Sequence, residues 1–251
     1  MDQKSVLITG MSGLIGQVCR EALAGDYDLR ALNRSEVEGV SCHRADIFDL
    51  EAIQPAFEGV DTVVHLAAMA QGNPTWKDVL PHNVVGTYNV FEASRRAGVQ
   101  RVIFASSGAA VSGCERDSPY RALVEGRYQE LDGWEKLDGS VVHPNGLYGC
   151  SKVWGEALAR HFSDTSGISS ICLRIGAVNR ANRPTKLREY SLWCSHRDIA
   201  QMVRCCIEAS ESLSFGIYYV VSDNKWSYRS LENARRELGF EPQDQAEQHR
   251  D

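Results

Sequence analysis

The chain has 251 residues, of which 43% are hydrophobic and 24% are charged, and its formal net charge is −6. This length allows one large α/β domain or one such domain with a small lobe. The mild acidity and the lack of a basic run argue against nucleic acid or an anionic membrane as a partner.

The segments that could direct the chain to a membrane or out of the cell are missing from the pattern. No apolar run approaches the length of a membrane span, and the opening MDQKSVLITG lacks the features of a secretory signal. The eight cysteines are scattered without a CxxC pair, which is typical of reduced thiols rather than of a disulfide framework or a zinc site. We therefore expect a cytoplasmic protein without a metal site.

Short apolar runs alternate with helical stretches along the chain. We predict strands at SVLITG, DLRALNR, DTVVHLAA and RVIFASS, separated by helices, of which WKDVLPHNVVGTYNVFEASRRAG is the longest. A helix from GLYGCSK, the strand SSICLRIGAV, further helix and the strand FGIYYVVSD follow. Nearly continuous apolar strands separated by helices indicate a parallel sheet covered on both faces, so we predict a Rossmann-type doubly wound α/β fold.

The chain shows no linker and no internal repeat. We predict a single Rossmann-type domain over residues 1–251, in which residues from about 177 onward form a small C-terminal substrate lobe. Residues 113–144 are rich in charge, glycine and aromatic side chains, and we predict a surface insertion there.

A glycine-rich segment, TGMSGLIG, joins the first predicted strand to the first helix. In a dinucleotide site one glycine allows the tight turn, another lets the backbone approach the pyrophosphate, and a third lets helix and strand pack closely. The strand before the segment and the helix after it favour this interpretation over a structural turn. The predicted residues are Gly10, Ser12, Gly13, Leu14, Ile15 and Gly16.

The end of the second predicted strand bears on the choice of cofactor. In NAD sites a carboxylate about 20 residues after the glycines holds the ribose. This chain has Asn33 followed by Arg34. Asn33 would not repel a 2′-phosphate and Arg34 could pair with it, which favours NADP over NAD. The alternative is an arginine on a solvated loop.

Tyr148 and Lys152 in NGLYGCSK are four residues apart, which places them on the same face of a helix. A free tyrosine has a pKa of about 10 and is a poor base at neutral pH. A lysine ammonium one turn away would stabilise the phenolate and lower that pKa. The alternative is a packed tyrosine and a solvated lysine at the start of an ordinary amphipathic helix.

Four segments in order, TGMSGLIG, VVHLAA, FASSG and YGCSK, resemble the extended short-chain dehydrogenase/reductase family, the NAD-dependent epimerase/dehydratase group. Within that group, NVVGTYNVFEA, GLYGCSKVWGEALAR and SLWCSHRDI are similar to uronate dehydrogenases. The resemblance covers nearly the whole chain. It implies an NAD(P) cofactor, a homodimer or higher homo-oligomer, and a catalytic triad of Ser107, Tyr148 and Lys152.

The resemblance also implies the remaining site residues. Those near the cofactor are Asp46, Ile47, Leu66, Ala67, Ala68, Asn83, Ala105 and Ile175. Those near the substrate are Ala70, Ser107, Gly108, Asn179 and Arg188. In the family the arginine grips a sugar carboxylate, although a solvated arginine is the alternative here. Two positions depart from uronate dehydrogenases, since Ala70 replaces an expected serine and Gly108 an expected asparagine.

The chemistry that these residues suit is oxidation of a carbinol. Tyr148 would remove the hydroxyl proton while Ser107 holds the reacting oxygen, and the nicotinamide would take the hydride. We expect an NAD(P)-dependent oxidoreductase acting on a free sugar, a uronic acid or a related small carbinol, because 251 residues leave little chain to grip a nucleotide. The alternatives are a nucleotide-sugar epimerase or dehydratase and a non-enzymatic NAD(P)-sensing regulator.

Overall fold

The computed structural model describes residues 3–70 and 74–250. Its centre is a seven-stranded sheet in the order β3-β2-β1-β4-β5-β6-β7, with every neighbouring pair parallel. The strands are β1 Ser5–Thr9, β2 Asp28–Asn33, β3 Ser41–Arg44, β4 Thr62–His65, β5 Arg101–Ser107, β6 Ser169–Ile175 and β7 Phe215–Val220. The strand order reverses between β1 and β4, which opens a crevice at the carboxyl ends of the strands. The predicted Rossmann-type doubly wound fold is confirmed.

The burial of the strands explains which of them the sequence reveals. Every residue of β1, β4 and β6 is buried, as expected for a parallel sheet covered on both faces. Strand β3 was not predicted. It has only four residues, SCHR, at the sheet edge, and none of them is fully buried. A short, polar, partly exposed edge strand has no apolar run by which the sequence could indicate it.

Helices cover both faces of the sheet and enclose two hydrophobic cores. They are α1 Leu14–Leu23, α2 Leu50–Ile53, α3 Trp76–Val79, α4 Gly86–Ala97, α5 Tyr120–Val124, α6 Gly146–Ser166, α7 His196–Glu208 and α8 Glu232–Leu238. Helix α1 packs beside α7, and α4 packs beside α6. Among the described residues, no helix is both long and apolar enough to cross a membrane.

The long helix predicted for residues 76–98 is interrupted by a wider turn. Residues Leu80–Val85 form a π-helix between α3 and α4, in which the Gly86 amide donates to the Pro81 carbonyl. Pro81 has no amide hydrogen, so it cannot continue the regular ladder. π-turns of this kind are frequent at functional sites.

Residues 113–144 are less peripheral than the sequence suggested. Ala122 and Leu123 in α5 are buried, and the Leu123 carbonyl accepts a hydrogen bond from Ser191 at 3.1 Å. The prediction of a surface insertion is therefore wrong for α5, which packs against the turn at Leu187–Ser191. The segment from residue 177 onward belongs partly to the central layers and partly to the loops at one edge of the sheet. It supplies β7 and α7 to the main layers, and its loops lie beyond the carboxyl end of β6.

Candidate functional site

The loop between β1 and α1 folds as a close-approach turn. Gly10 has a φ of 72°, its amide donates to the Leu32 carbonyl at 3.0 Å, and a Cβ there would lie 3.0 Å from the Ala67 backbone. A Cβ on Gly16 would lie 2.6 Å from the Met11 Cα. Gly13 is the N-cap of α1, so the free amides of the first turn lie at this loop. The geometry fits a pyrophosphate against a helix N-terminus.

A cleft of about 540 Å³ opens beside this loop at the carboxyl ends of β1, β2 and β4. Most of its lining was predicted from the sequence: Gly10, Ser12, Gly13, Asn33, Arg34, Asp46, Ile47, Leu66, Ala67 and Ala68. Five lining residues were missed: Leu32, Ser35, Ala45, Met69 and His82. Leu14, Ile15 and Gly16 continue from the loop into α1, whereas Ala105 and Ile175 are buried in β5 and β6.

His82 is the most polar of the missed residues. It belongs to the π-helix, and its Nε2 lies 3.7 Å from Oδ2 of Asp46, which also lines the cleft. A regular helix over residues 76–98 would have placed residue 82 in a different register. The sequence signal that could have found it is Pro81, which marks the disturbed turn.

Asn33 is held by the protein itself. Its Oδ1 accepts a hydrogen bond from the Ser12 hydroxyl at 3.2 Å, and its Nδ2 donates to the Ser35 carbonyl at 2.8 Å. Asn33 is 7% exposed, whereas Arg34 is exposed at the rim of the cleft. The side chain that reaches outward at the end of β2 is therefore a cation and not a carboxylate.

Asn83 connects the wall of the cleft to helix α6. Its Oδ1 accepts from the Met69 amide at 2.7 Å, and its Nδ2 donates to the Met69 carbonyl at 3.0 Å and to the Ser151 hydroxyl at 3.1 Å. The Ser151 hydroxyl in turn donates to the Tyr148 carbonyl at 2.7 Å. Asn83 is 2% exposed, so its side chain holds the two walls together and does not form part of the cleft surface.

Two hydrogen-bonded side chains fix the loop after β4 from beneath. The Ala67 amide donates to the Thr9 hydroxyl at 3.1 Å, and this hydroxyl lies 2.8 Å from Nδ1 of His65. Burial, together with the charge of Lys152, lowers the pKa of His65 to about 3. The imidazole is therefore neutral, and its hydrogen bond holds the Thr9 hydroxyl in place.

Ser107, Tyr148 and Lys152 meet where β5 ends and α6 begins. Tyr148 and Lys152 lie one turn apart in α6, as the spacing predicted, with the Lys152 Nζ 5.6 Å from the centroid of the Tyr148 ring. The Lys152 ammonium donates to the Ala105 carbonyl at 2.6 Å. The Ser107 hydroxyl accepts from the Ala109 amide at 3.1 Å, which turns the chain out of β5.

The pKa values of this cluster differ from the sequence-based expectation. Burial lowers the pKa of Lys152 to about 8, against the opposing charge of Glu156. Burial also raises the pKa of Tyr148, and its hydrogen bond to Ser107 opposes that shift. At the phenol burial outweighs the hydrogen bond to Ser107, while the Lys152 ammonium donates to the Ala105 carbonyl, so a lowering of the Tyr148 pKa by Lys152 stays a prediction.

On the substrate side, Gly108 directly follows β5, and Asn179 lies in the loop after β6. A Cβ on Gly108 would lie 2.8 Å from Nη2 of Arg229. The Oδ1 of Asn179 is buried and has no hydrogen-bond partner among residues 3–70 and 74–250. Ala70 is exposed in the segment after β4. The expected substrate pocket thus has small side chains at two of its positions.

Arg188 is already engaged in an ion pair. Its Nε and Nη2 donate to both carboxylate oxygens of Glu115, at 2.6 and 2.7 Å, and the Tyr228 hydroxyl donates to Oε1 at 2.5 Å. Burial would raise the pKa of Glu115, but Arg188, Tyr228 and Arg229 together hold it below its usual value. Glu115 and Arg229 were both missed, since nothing in the sequence links residues so far apart.

The parallel sheet, the glycine turn and the cleft define a Rossmann-type α/β protein built to hold a dinucleotide. A family model described as the NAD dependent epimerase/dehydratase family matches residues 6–191. The chain belongs to this family. The resemblance noted in its motifs is confirmed.

Two relatives from Haloferax volcanii match nearly the whole chain. An NAD-dependent glucose-6-phosphate dehydrogenase is 35% identical over 97% of this chain and 94% of its own. An L-arabinose 1-dehydrogenase (NAD(P)(+)) is 33% identical over 95% of this chain and 96% of its own. Among solved structures, a mutant uronate dehydrogenase from Agrobacterium tumefaciens complexed with NAD is 30% identical, with a TM-score of 0.83 over 98% of this chain and 87% of that one.

Proposed function

We propose that the protein is an NAD(P)-dependent dehydrogenase that oxidises a sugar or sugar acid at a carbinol or hemiacetal carbon. The observation that carries the proposal is the meeting of Ser107, Tyr148 and Lys152 at the carboxyl end of β5, beside the dinucleotide cleft. The names of the relatives support it, since they are dehydrogenases of a sugar phosphate, a pentose and uronic acids.

The chain's own side chains have distinct parts in this reaction. When bound, the nicotinamide accepts the hydride, and the protein supplies placement and proton transfer. Ser107 donates to the reacting oxygen and holds it near Tyr148, which takes the hydroxyl proton as the hydride leaves. Lys152, with a pKa of about 8, is mostly protonated at neutral pH and supplies the positive charge that the phenolate needs.

Loops from two parts of the chain would cover the substrate. The turn at Leu187–Ser191 packs on α5, and residues Leu137 and Arg229 pair as a short parallel bridge. We infer that residues from 177 onward form the substrate lobe together with part of 113–144, and that Asn179 and Arg188 belong to it.

A cytoplasmic location stays a prediction.

The activity is tested by incubating the purified protein with free aldoses, uronic acids, sugar phosphates and nucleotide sugars, each with NAD and with NADP. We expect net formation of the reduced cofactor, followed by its absorbance. An isomerised nucleotide sugar without net reduction would instead support the epimerase or dehydratase alternative. Tight cofactor binding without turnover of any substrate would support the regulator.

For the cofactor, we propose a preference for NADP over NAD that depends on Arg34. Its guanidinium is the exposed cation at the end of β2, beside the neutral, internally bonded Asn33. Replacing Arg34 by alanine is expected to raise the Kd for NADP roughly tenfold, because a charge-assisted hydrogen bond to the 2′-phosphate is lost. The Kd for NAD should change less than about twofold, as measured by nucleotide titration.

Arg30 provides the matched control. It lies within β2, the strand that Arg34 follows, and it does not line the cleft. Its guanidinium pairs with Asp28 at a distance of 2.9 Å. Arg30→Ala should leave both dissociation constants unchanged. An equal effect of Arg34→Ala on both nucleotides would reject Arg34 as a reader of the 2′-phosphate.

We propose further that the protein is a homodimer joined through α4 and α6. Exposed apolar side chains gather on α4, α6 and the π-turn that packs against them: Leu80, Val85, Tyr88 and Leu147. Clustered exposed apolar residues mark protein interfaces. Tyr88→Glu is expected to lower the mass seen by sedimentation to that of one chain. Leu187→Glu, at a side chain 59% exposed elsewhere, is the control, and an unchanged mass for Tyr88→Glu would contradict this interface.

A further inference from the structure

Arg229 differs from the other two buried arginines in having buried nitrogens without a partner. Arg101 donates to Ser169 and to backbone carbonyls in the last turn of α7 and just beyond it, and Arg174 donates to Glu156, Val141 and Tyr219. Arg229 is 1% exposed, and its Nε and Nη1 have no hydrogen-bond partner among residues 3–70 and 74–250. A buried guanidinium without acceptors is costly, and such a group in a native structure requires an explanation.

The location of this guanidinium ties it to the proposed active site. Its Nη2 would lie 2.8 Å from a Cβ on Gly108, the residue directly after Ser107. The guanidinium plane is held over the ring of Tyr228, at 4.4 Å from its centroid, and lies 5.9 Å from that of Tyr219. The aromatic rings fix the plane, so the unpartnered N–H groups are held in place beside the backbone that carries Ser107.

The charges around Arg229 leave it uncompensated. The nearest carboxylate is Glu115, whose Oε1 is 4.0 Å from Nη2, beyond hydrogen-bonding distance. Glu115 is bound at both oxygens by Arg188, and its lowered pKa keeps it ionised at neutral pH. Two arginines thus share one carboxylate, and the cluster carries a net positive charge. Arg188 makes a two-point pair with this carboxylate, whereas the buried Nε and Nη1 of Arg229 have no hydrogen-bond partner among the described residues.

We propose that Arg229 recognises an anionic group of the substrate, a carboxylate or a phosphate on the sugar, and that the missing side chain at Gly108 leaves room for its guanidinium. The inference rests on the proposed dehydrogenase function and names its substrate class. Arginine suits this task because its planar donors match two oxygens of a carboxylate or a phosphate. The position of the Arg229 guanidinium also explains why a glycine follows Ser107, since any side chain at residue 108 would displace that guanidinium.

The test compares three related sugars, D-glucose, D-glucuronate and glucose 6-phosphate, which differ in charge at one carbon. Arg229→Gln is expected to lower kcat/KM for the anionic sugar that the enzyme prefers by roughly 10- to 100-fold, the loss of hydrogen bonds to a charged group. For D-glucose the change should stay below about twofold. Whether glucuronate or the phosphate shows the larger loss identifies the anion.

Three further variants separate recognition from a structural role. Gly108→Ala, which pushes the guanidinium aside, should reproduce the selective loss, whereas Arg229→Lys, which keeps the charge, should restore part of the preference. Glu115→Gln with Arg188→Gln removes the ion pair as a unit and should retain the preference for the anion. If this double variant loses the preference while Arg229→Gln keeps it, Arg188 reads the anion and the proposal is overturned.

A binding measurement keeps this proposal distinct from the proposed function. D-glucuronate and inorganic phosphate are expected to raise the Tm of the wild-type protein and to have no such effect on Arg229→Gln. If they do so although no sugar is oxidised, the anion site stands and the dehydrogenase function fails. If sugars are oxidised but Arg229→Gln affects neutral and anionic ones alike, the dehydrogenase stands and the anion site fails.

Discussion

Tyr148→Phe is expected to lower kcat by about 1,000-fold, within the range of 10²–10⁴ that general acid–base catalysis contributes. The change removes only the phenolic oxygen, so the ring that lies 5.6 Å from the Lys152 ammonium remains in place. NAD(P) binding should persist, because the glycine turn and the cleft are untouched. Steady-state rates with the preferred sugar and a nucleotide titration measure the two quantities separately.

Tyr27→Phe is the matched control for this substitution. The Tyr27 hydroxyl donates to Glu208 at 2.7 Å, in the layer of α1 and α7 and away from the cleft. Its removal should leave kcat within about twofold of the wild type, as expected for a residue outside the site. Equal rates for Tyr148→Phe and the wild type would remove Tyr148 as the base and with it the proposed mechanism.

Arg174→Met is expected to lower the free energy of unfolding by about 3–5 kcal/mol, the usual result of removing one partner of a buried ion pair. Arg174 is fully buried and donates from Nε and Nη2 to both oxygens of Glu156 at 2.8 Å. Without it, the Ser106 hydroxyl, at 2.5 Å, is the one hydrogen-bond donor that the described residues leave to the Glu156 carboxylate. Urea unfolding followed by circular dichroism measures the change.

The double variant Arg174→Met with Glu156→Leu tests the cause of that loss. Replacing both charges by apolar side chains is often neutral, so most of the lost stability should return. If the double variant is as unstable as Arg174→Met alone, the loss comes from packing around residue 174 and not from an uncompensated carboxylate. Arg160→Met, which breaks an exposed pair with Asp164, should cost less than about 1 kcal/mol.

Most strands of the central sheet could be predicted because the signal for each strand lies within one short stretch of sequence. Buried strands such as β4 are continuous apolar runs, and the run itself identifies them. Strand β3 and the π-turn at Leu80–Val85 could not be predicted in the same way. An edge strand is defined by its partner, and a widened turn by the side chains that it brings inward, so neither leaves a periodic signal.

The same distinction applies to the candidate site. The glycine turn and the Tyr148–Lys152 face depend on residues close together in the chain, and the structure places them as predicted. The ion pair of Arg188 with Glu115 and the contact of Arg229 with Gly108 join distant segments. The raised pKa of Tyr148 was also missed, because it comes from burial, which only the folded chain determines.

The single amide of Asn83 has a consequence for how the site is assembled. It bonds the loop after β4 through Met69 and the start of α6 through Ser151, and the Asn83 side chain itself is buried. Neither wall can shift without breaking a hydrogen bond to this buried amide, which would be left unsatisfied. The distance between the dinucleotide cleft and Tyr148 is therefore set during folding. Ligand binding therefore does not have to order these two walls, so its free energy can contribute to the reaction.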